Sequence, residues 1–241
     1  MPYPRGRVNH ENFQIIILEE RSEMIIHNQN IKFCCLFASP FFIILLGFLT
    51  ATFFNRIIDG WAWIPLALVY WTLLGFCIYL FKENKSIGDW FQKSKKAPFW
   101  ITLTMLIGMF PLTILIMNYQ LFHSIWLTIY WLLFALINPW FEEFFWRGIL
   151  FDRLLTKFPK WFVILYTTCL FVISHPFMWG VFSYASKSYH LYIYLSIVGI
   201  VWAITYLKTK SLRSIILSHV IVDIGNLTVL TFLNIYIPPT M

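Results

Sequence analysis

A few ionisable side chains stand inside stretches of the chain that are otherwise apolar. They are Glu142, Glu143, Arg147, His175, His219 and Asp223. Carboxyl and imidazole groups are the usual acids and bases of enzymes near neutral pH. Burying such groups is costly, so each of them invites a functional hypothesis. The set could activate water, transfer protons or bind a metal ion.

The first motif contains two adjacent acids, Glu142 and Glu143. Glu143 and Arg147 are four residues apart, so on a helix they share one face and can form an ion pair. Glu142 lies about 100° further round the helix, where it has no local partner and is free to face a cavity. The spacing predicts a structural acid at 143, supported by Arg147, and a chemical acid at 142. In the alternative interpretation, both acids mark the cytosolic end of a membrane span and Arg147 anchors its topology.

The other two motifs contain histidines. His175 is followed at once by Pro176, and a proline frees a backbone carbonyl and can bend a helix beside a polar cavity. His219 and Asp223 are four residues apart and share a helix face. That geometry suits metal binding or a carboxylate that orients an imidazole. The alternatives are a core histidine at 175 and an interhelical hydrogen-bonding pair at 219 and 223.

The composition indicates the environment of these residues. Apolar residues make up 59% of the chain and charged residues only 12%, well outside the range of soluble globular proteins. The four cysteines lie in apolar runs without metal-ligand spacing, and we interpret them as small hydrophobic residues. The net charge of +7 does not indicate a nucleic-acid partner, because no soluble basic domain is long enough to carry such a surface. We predict an all-α, polytopic transmembrane helical bundle in a lipid bilayer.

Seven apolar stretches approach the roughly 20 residues that one bilayer crossing requires. They are Phe33–Phe54, Trp61–Phe81, Phe99–Asn118, Ser124–Phe141, Trp161–Trp179, His190–Leu207 and Ser214–Tyr236. We therefore predict a polar segment at 1–32 and one transmembrane domain at 33–241.

The lysine and arginine residues predict the orientation. Sixteen of them fall in the N-terminal segment and the second, fourth and sixth connections, when Arg147 is counted in the fourth. Only Arg56 and Lys187 fall on the other side. By the positive-inside rule the N-terminus is cytosolic and, with seven spans, the C-terminus is outside. We expect a multi-pass protein of the plasma membrane.

The depth of the motifs predicts a long fourth helix. His175 lies about 21 Å along its own span from the cytosolic end. A fourth helix that ended just before Glu142 would leave that acid at the membrane surface. Continuation of the helix past Arg147 towards Lys157 would carry Glu142 roughly 20 Å below the surface. We predict this continuation, with a bend that Pro139 permits.

Taken in order, the three motifs resemble those of the CPBP (CAAX protease and bacteriocin-processing, Abi) family, which includes the type II CAAX prenyl endopeptidases. The motifs are Glu-Glu-x3-Arg from Glu142, Phe-x3-His ending at His175 and His-x3-Asp from His219. The resemblance extends to the flanking residues 144–148 and 209–212. It covers residues 124–233, which we take as the protease core.

The resemblance implies an intramembrane endopeptidase, a hydrolase that acts in CAAX-box protein processing or on related peptides. It implies that Glu142 and His175 activate water, while His219 and residue 223 stabilise the oxyanion or hold a metal. The family often has Asn where this chain has Asp223, and an ionised carboxylate cannot donate a hydrogen bond to an oxyanion. Asp223 would therefore be protonated, bind a metal or orient His219.

A metalloprotease mechanism is left open. A divalent metal such as zinc would have Glu142, His175, His219 and Asp223 as its candidate ligands. No His-Glu-x-x-His motif supports this assignment.

Two other functions fit buried acids and histidines in such a bundle. A catalytically silent immunity or peptide-binding protein would keep the same residues without turnover. A proton-coupled transporter would use them as a relay, but the chain lacks the matching broken spans expected in its two halves. For a protease, a membrane-embedded or prenylated protein, a leader peptide or a signalling peptide each fits as substrate. We expect the substrate to enter from the cytosol or laterally from lipid.

Overall fold

The computed structural model describes residues 10–82, 86–94 and 96–238, and side chains from residue 29 onward. Within these ranges the chain is helical and contains no strand. Five helical stretches are long and apolar enough to cross a membrane, namely Gln29–Phe81, Pro98–Leu121, Ile125–Leu154, Lys160–Val181 and Tyr189–Thr209. The predicted all-α fold is confirmed, and these stretches have the length and composition expected of membrane spans. The count of seven spans is not confirmed, and the orientation of the termini stays a prediction.

Eleven α-helices are numbered here in chain order over the described ranges. They are α1 (His10–Ile58), α2 (Trp63–Phe81), α3 (Ile87–Trp90), α4 (Pro98–Met109), α5 (Leu112–Asn118), α6 (Ile125–Glu143), α7 (Asp152–Leu154), α8 (Lys160–Phe177), α9 (Tyr189–Thr209), α10 (Arg213–Gly225) and α11 (Thr228–Phe232). A π-helix, Phe144–Phe151, joins α6 to α7. Short 3₁₀ turns lie at Asp59–Ala62, Tyr119–Leu121, Trp179–Val181 and Ala185–Lys187.

The first membrane stretch consists of two helices that pack against each other. Helix α1 ends at Ile58, and the 3₁₀ turn begins at Asp59, whose φ is 50°. Aspartate tolerates this left-handed conformation better than most residues, so it can reverse the chain here. Helix α1 also crosses the predicted boundary at residue 33 without a break.

The fourth helix is long, as predicted. The chain is continuously helical from Ile125 to Leu154. The π-helix within it was not predicted, and its eight residues are all buried. Because a π-helix accommodates an extra residue in a helical turn and occurs frequently at functional sites, its position directly after Glu143 marks the region of the two acids.

The prediction of one continuous span at Ser214–Tyr236 is wrong. Helix α10 ends at Gly225 after 13 residues, and the chain turns at Leu227, where φ is 54°. Thirteen residues extend only about 20 Å, less than the roughly 30 Å of a hydrocarbon core. Helix α10 is therefore a half-length element that ends inside the bundle.

The third predicted span is also interrupted. Helix α4 ends at Met109 and α5 begins at Leu112, because Pro111 between them has no amide hydrogen for the helix. A Cβ atom on Gly225 would lie 2.6 Å from the Pro111 carbonyl carbon. A glycine is therefore needed where α10 meets this break.

The successive helices place their connections at two ends of the bundle. The basic end comprises residues 82, 86–94, 96–97, 155–159 and 210–212, and the Leu212 amide donates to the Trp90 carbonyl there at 2.9 Å. The opposite end comprises residues 58–62, 119–124, 178–188 and 226–238. At that end the Tyr184 amide donates to the Asn234 side chain at 2.9 Å.

Candidate active site

The structure brings the three motifs together around one cavity of about 220 Å³. Glu142 reaches it from α6, His175 from α8, and His219 and Asp223 from α10. Glu142 is only 1% exposed and His219 only 4%. This convergence across three helices is what chemistry at a buried site requires. The roles of the individual residues stay predictions.

Glu143 connects the first and third motifs. Its Oε1 atom accepts a hydrogen bond from Arg147 Nη1 at 2.9 Å, as the spacing of four residues predicts. The same oxygen lies 2.8 Å from His219 Nδ1. A carboxylate only accepts hydrogen bonds, so the proton of this pair is on Nδ1. Glu143 therefore fixes the ring orientation of His219 as well as the position of Arg147.

Arg147 lies inside the protein and not in a connection. Its side chain is 2% exposed, so its assignment to the fourth basic connection was wrong. A buried guanidinium needs a partner within the protein because its desolvation is costly, and Glu143 supplies one. Fifteen of the lysine and arginine residues then remain on the basic side of the sequence, against two on the other side.

Aromatic rings hold the charged groups in place. The guanidinium of Arg147 lies 4.7 Å from the ring centre of Phe171 and 5.4 Å from that of Trp202, which are cation–π distances. The ring centres of Trp202 and His219 are 4.7 Å apart. The phenylalanine of the second motif therefore packs against the arginine of the first motif, and also against His175, with ring centres 4.9 Å apart.

The second nitrogen of His219 faces two acids. His219 Nε2 lies 3.4 Å from Glu142 Oε2 and 3.9 Å from Asp223 Oδ1. The Glu142 contact is within ion-pair distance, yet among the described residues Glu142 Oε2 has no hydrogen-bond partner. That oxygen is therefore available to accept a proton from a group in the cavity.

His175 is held by its own helix. Its Nδ1 atom lies 2.8 Å from the Phe171 carbonyl oxygen. A carbonyl can only accept, so Nδ1 donates and Nε2 carries no proton in the neutral ring. His175 can thus act as a proton acceptor on the cavity wall.

Two residues of this site were not identified from the sequence. Asn138 lies one turn before Glu142 on α6, and its Nδ2 donates to Asp223 Oδ2 at 3.3 Å. Trp71 Nε1 donates to Asn138 Oδ1 at 3.0 Å, which fixes the orientation of the amide. An amide within an apolar run, four residues from Glu142, was a signal that could have identified it.

Tyr70 is the second missed residue. It is fully buried on α2, its hydroxyl lies within hydrogen-bonding reach of the Glu142 carboxyl group, and Trp146 Nε1 donates to it at 3.3 Å. The chain has 12 tyrosines, most of them in or beside apolar runs. Nothing in the local sequence distinguishes Tyr70 from the others.

The four candidate ligands do not form a ready metal site. Over the residues that the structure describes, no group of three or more His, Cys, Asp or Glu side chains is arranged to hold a metal ion. The Nδ1 atoms of His175 and His219 are already engaged by Phe171 and Glu143. We therefore derive no chemical step through a metal, and its use stays a prediction.

Comparison with known proteins places this site in a family context. The family model for Rce1-like type II CAAX prenyl endopeptidases matches residues 124–225. No curated protein matches the chain, and no solved structure matches it. The matched segment runs from the start of α6 to the end of α10 and carries all three motifs. Over these residues the chain is similar to the type II CAAX prenyl endopeptidases, which confirms the resemblance that the motifs indicated.

Proposed function

We propose that the chain is an intramembrane endopeptidase that hydrolyses a peptide bond of a membrane-associated substrate. One observation carries the proposal. Glu142, His175 and His219 come from three different helices and meet at one cavity with mostly apolar walls. The similarity to a protease family over residues 124–225 supports the same reaction.

The first step uses the free oxygen of Glu142. A water molecule in the cavity transfers a proton to Glu142, assisted by the unprotonated Nε2 of His175, and its oxygen adds to the substrate carbonyl carbon. The carbonyl π electrons move to the oxygen and form an oxyanion. Positioned acid–base groups of this kind accelerate reactions by about 10²–10⁴-fold.

The second step completes the hydrolysis. His219 Nε2 lies 3.4 Å from Glu142 Oε2. In its protonated form the ring carries a hydrogen on both nitrogens, so Nε2 can donate to the oxyanion while Nδ1 donates to Glu143. The oxyanion then collapses, the C–N bond breaks, and Glu142 returns its proton to the leaving nitrogen. The products are a carboxylic acid and an amine.

In this proposal Asp223 positions other residues and does not itself contact the water or the oxyanion. It lies near His219 Nε2 and accepts a hydrogen bond from Asn138. We assign Asp223 to the orientation of His219 and Asn138.

The proposal is tested by comparing peptides in cells that express wild-type protein or Glu142→Gln. Mass spectrometry of membrane and released peptides should show products that disappear in the variant, because an amide cannot accept the proton from water. Asp89→Asn is the matched control. It removes an exposed acid on α3, outside the cavity, and should leave the peptide profile unchanged.

The opposite outcome would identify another class of function. If wild-type protein and Glu142→Gln give identical peptide profiles at equal expression, the chain does not hydrolyse peptides. The non-catalytic immunity or peptide-binding function would then explain the buried polar cluster.

A further inference from the structure

The cavity extends from the site towards one end of the bundle. Beyond the motif residues, its lining includes residues of the opposite end, among them Ser186, Thr231 and Tyr236. No lining residue comes from the described connections of the basic end. The cavity therefore extends from the site to the connections at the opposite end.

The basic end is closed above the site by a packed layer. This covering layer consists of Trp90, the π-helix Phe144–Phe151 and Leu212, all of them buried. The Trp90 ring lies so close to Gly148 that a Cβ atom there would be 3.0 Å from it. Trp90 and Leu212 are joined by a backbone hydrogen bond of 2.9 Å.

A polar cluster links two helices at the same end. The Tyr206 hydroxyl donates to Asp152 Oδ2 at 2.7 Å, and Lys210 Nζ lies 3.8 Å from Asp152 Oδ1. These contacts join α9 to the end of the long fourth helix. Side chains and hydrogen bonds together thus separate the cavity from the basic connections.

The charges indicate which compartment each end faces. Fifteen of the 18 lysine and arginine residues lie on the basic side of the sequence, and only Arg56 and Lys187 lie on the other side. Basic residues accumulate in cytosolic connections. By this rule the covered end is the cytosolic end, and the cavity extends from the site towards the other side of the membrane.

We propose that peptide substrates reach Glu142 from the non-cytosolic face of the membrane. This inference rests on the proposed function and names its substrate class. The substrate is a peptide already exported or exposed on the outer side, with small apolar side chains near the cleaved bond. At about 220 Å³ the cavity is smaller than the roughly 300 Å³ of a typical small ligand site, so it fits a few side chains at a time. This proposal differs from the entry from the cytosol or laterally from lipid that the sequence had suggested.

The test uses cysteines placed along the route and does not depend on catalysis. The native cysteines at 34, 35 and 169 are replaced by serine, and the buried Cys77 by alanine. Asn226→Cys and, deeper, Asn138→Cys then report on the cavity, since both positions line it. A small, charged, membrane-impermeant methanethiosulfonate is applied to sealed right-side-out or inside-out vesicles.

Two exposed lysines provide matched reporters of the two ends. Lys187→Cys should react only from the non-cytosolic face and Lys210→Cys only from the cytosolic face. Modification of Asn226→Cys and Asn138→Cys from the non-cytosolic face, lost when the reagent is on the cytosolic face, is the expected result.

Several results would overturn the proposal. These are modification of the cavity cysteines from the cytosolic face, no modification from either face, or reversal of the two lysine reporters. Asn226→Cys still decides the question if Asn138→Cys fails to fold. The peptide comparison with Glu142→Gln is independent, so one-sided labelling with unchanged peptides would contradict the protease function alone.

Discussion

At the scale of residues, one carboxylate joins two motifs. Glu143 Oε1 accepts from Arg147 at 2.9 Å and from His219 at 2.8 Å, whereas Glu142 lines the cavity. The two adjacent acids thus have different environments. This difference leads to opposite expectations for the same substitution.

Glu143→Gln should lower the stability of the protein, whereas Glu142→Gln should abolish cleavage without unfolding it. Removing the ionic partner of a buried guanidinium costs about 3–5 kcal/mol. Thermal unfolding in detergent, read by intrinsic tryptophan fluorescence, measures the effect. Equal unfolding temperatures for Glu143→Gln and wild-type protein would contradict the supporting role of Glu143.

Asp223→Asn should retain cleavage activity. An amide at 223 can still contact His219 and Asn138, and in addition can donate to an oxyanion. Initial rates on a substrate found by the peptide comparison measure the effect. A loss of about 10²-fold or more, the size expected for a missing oxyanion contact, would show that the carboxylate itself is required. Asp89→Asn again serves as the control.

The pairing of Glu143 with Arg147 could be predicted from the sequence, because residues four apart on a helix are neighbours. The contact of Glu143 with His219 could not, since it joins residues 76 positions apart and depends on how α6 and α10 pack. Asn138 was predictable in principle as an amide in an apolar run. Tyr70 was not, because its partners come from another helix.

At the scale of elements, the site depends on where helices stop. Helix α10 ends at Gly225, directly against the break at Pro111 between α4 and α5. This contact sets the depth of His219 and Asp223 relative to α6. Hydropathy alone could not reveal the end of α10, because the following residues are also apolar and the left-handed residue, Leu227, is not a type that signals a turn.

Gly225→Ala should destabilise the protein and reduce its activity. The added Cβ would lie 2.6 Å from the Pro111 carbonyl carbon and 2.7 Å from the Leu112 nitrogen, so backbone has to move. Overpacking of this kind costs about 1–3 kcal/mol. Unfolding temperature and cleavage rate are both measured.

Gly60→Ala is the control for this substitution. Its Cβ would meet its nearest neighbour at 3.5 Å, an ordinary contact. We expect Gly60→Ala to leave the unfolding temperature and the cleavage rate unchanged. If Gly225→Ala also leaves them unchanged, the contact with Pro111 does not set the position of α10.

The long fourth helix, by contrast, followed from the sequence. Only its continuation past Arg147 could bring Glu142 to the depth of His175, and helical rise is a fixed quantity. The π-helix was not predictable by the same argument, because rise and apolarity are similar in the two kinds of helix. Its residues Phe144–Phe151 read as an ordinary apolar stretch.

At the scale of the whole molecule, the two ends differ in charge and in closure. The charge asymmetry is visible in the sequence, but the closure is not. It depends on Trp90, which lies on the short helix α3 in a connection of mixed polarity. Only the structure shows that this ring is 2% exposed and packs against the π-helix.

Trp90→Ala should open the cytosolic end. In the cysteine-free background, Asn226→Cys should then become reactive to the impermeant thiol reagent from the cytosolic face also, because the ring that covers Gly148 is gone. Trp161→Ala is the control, since Trp161 is an exposed tryptophan at the start of α8 whose ring contacts Phe162, outside the covering layer. Unchanged one-sided labelling in Trp90→Ala would show that this ring does not close the cytosolic end.

The covering layer also has an electrical consequence. In a membrane protein closed at one end and open at the other, most of the transmembrane voltage falls across the closed part, at about 2.3 kcal/mol per charge for every 100 mV. Glu142 would then share the ionic conditions of the outer compartment, and its proton would exchange with that side. In the proposed orientation the reaction would follow the acidity on the outer side of the membrane and be insulated from the cytosol, although most of the protein's positive charge would lie there.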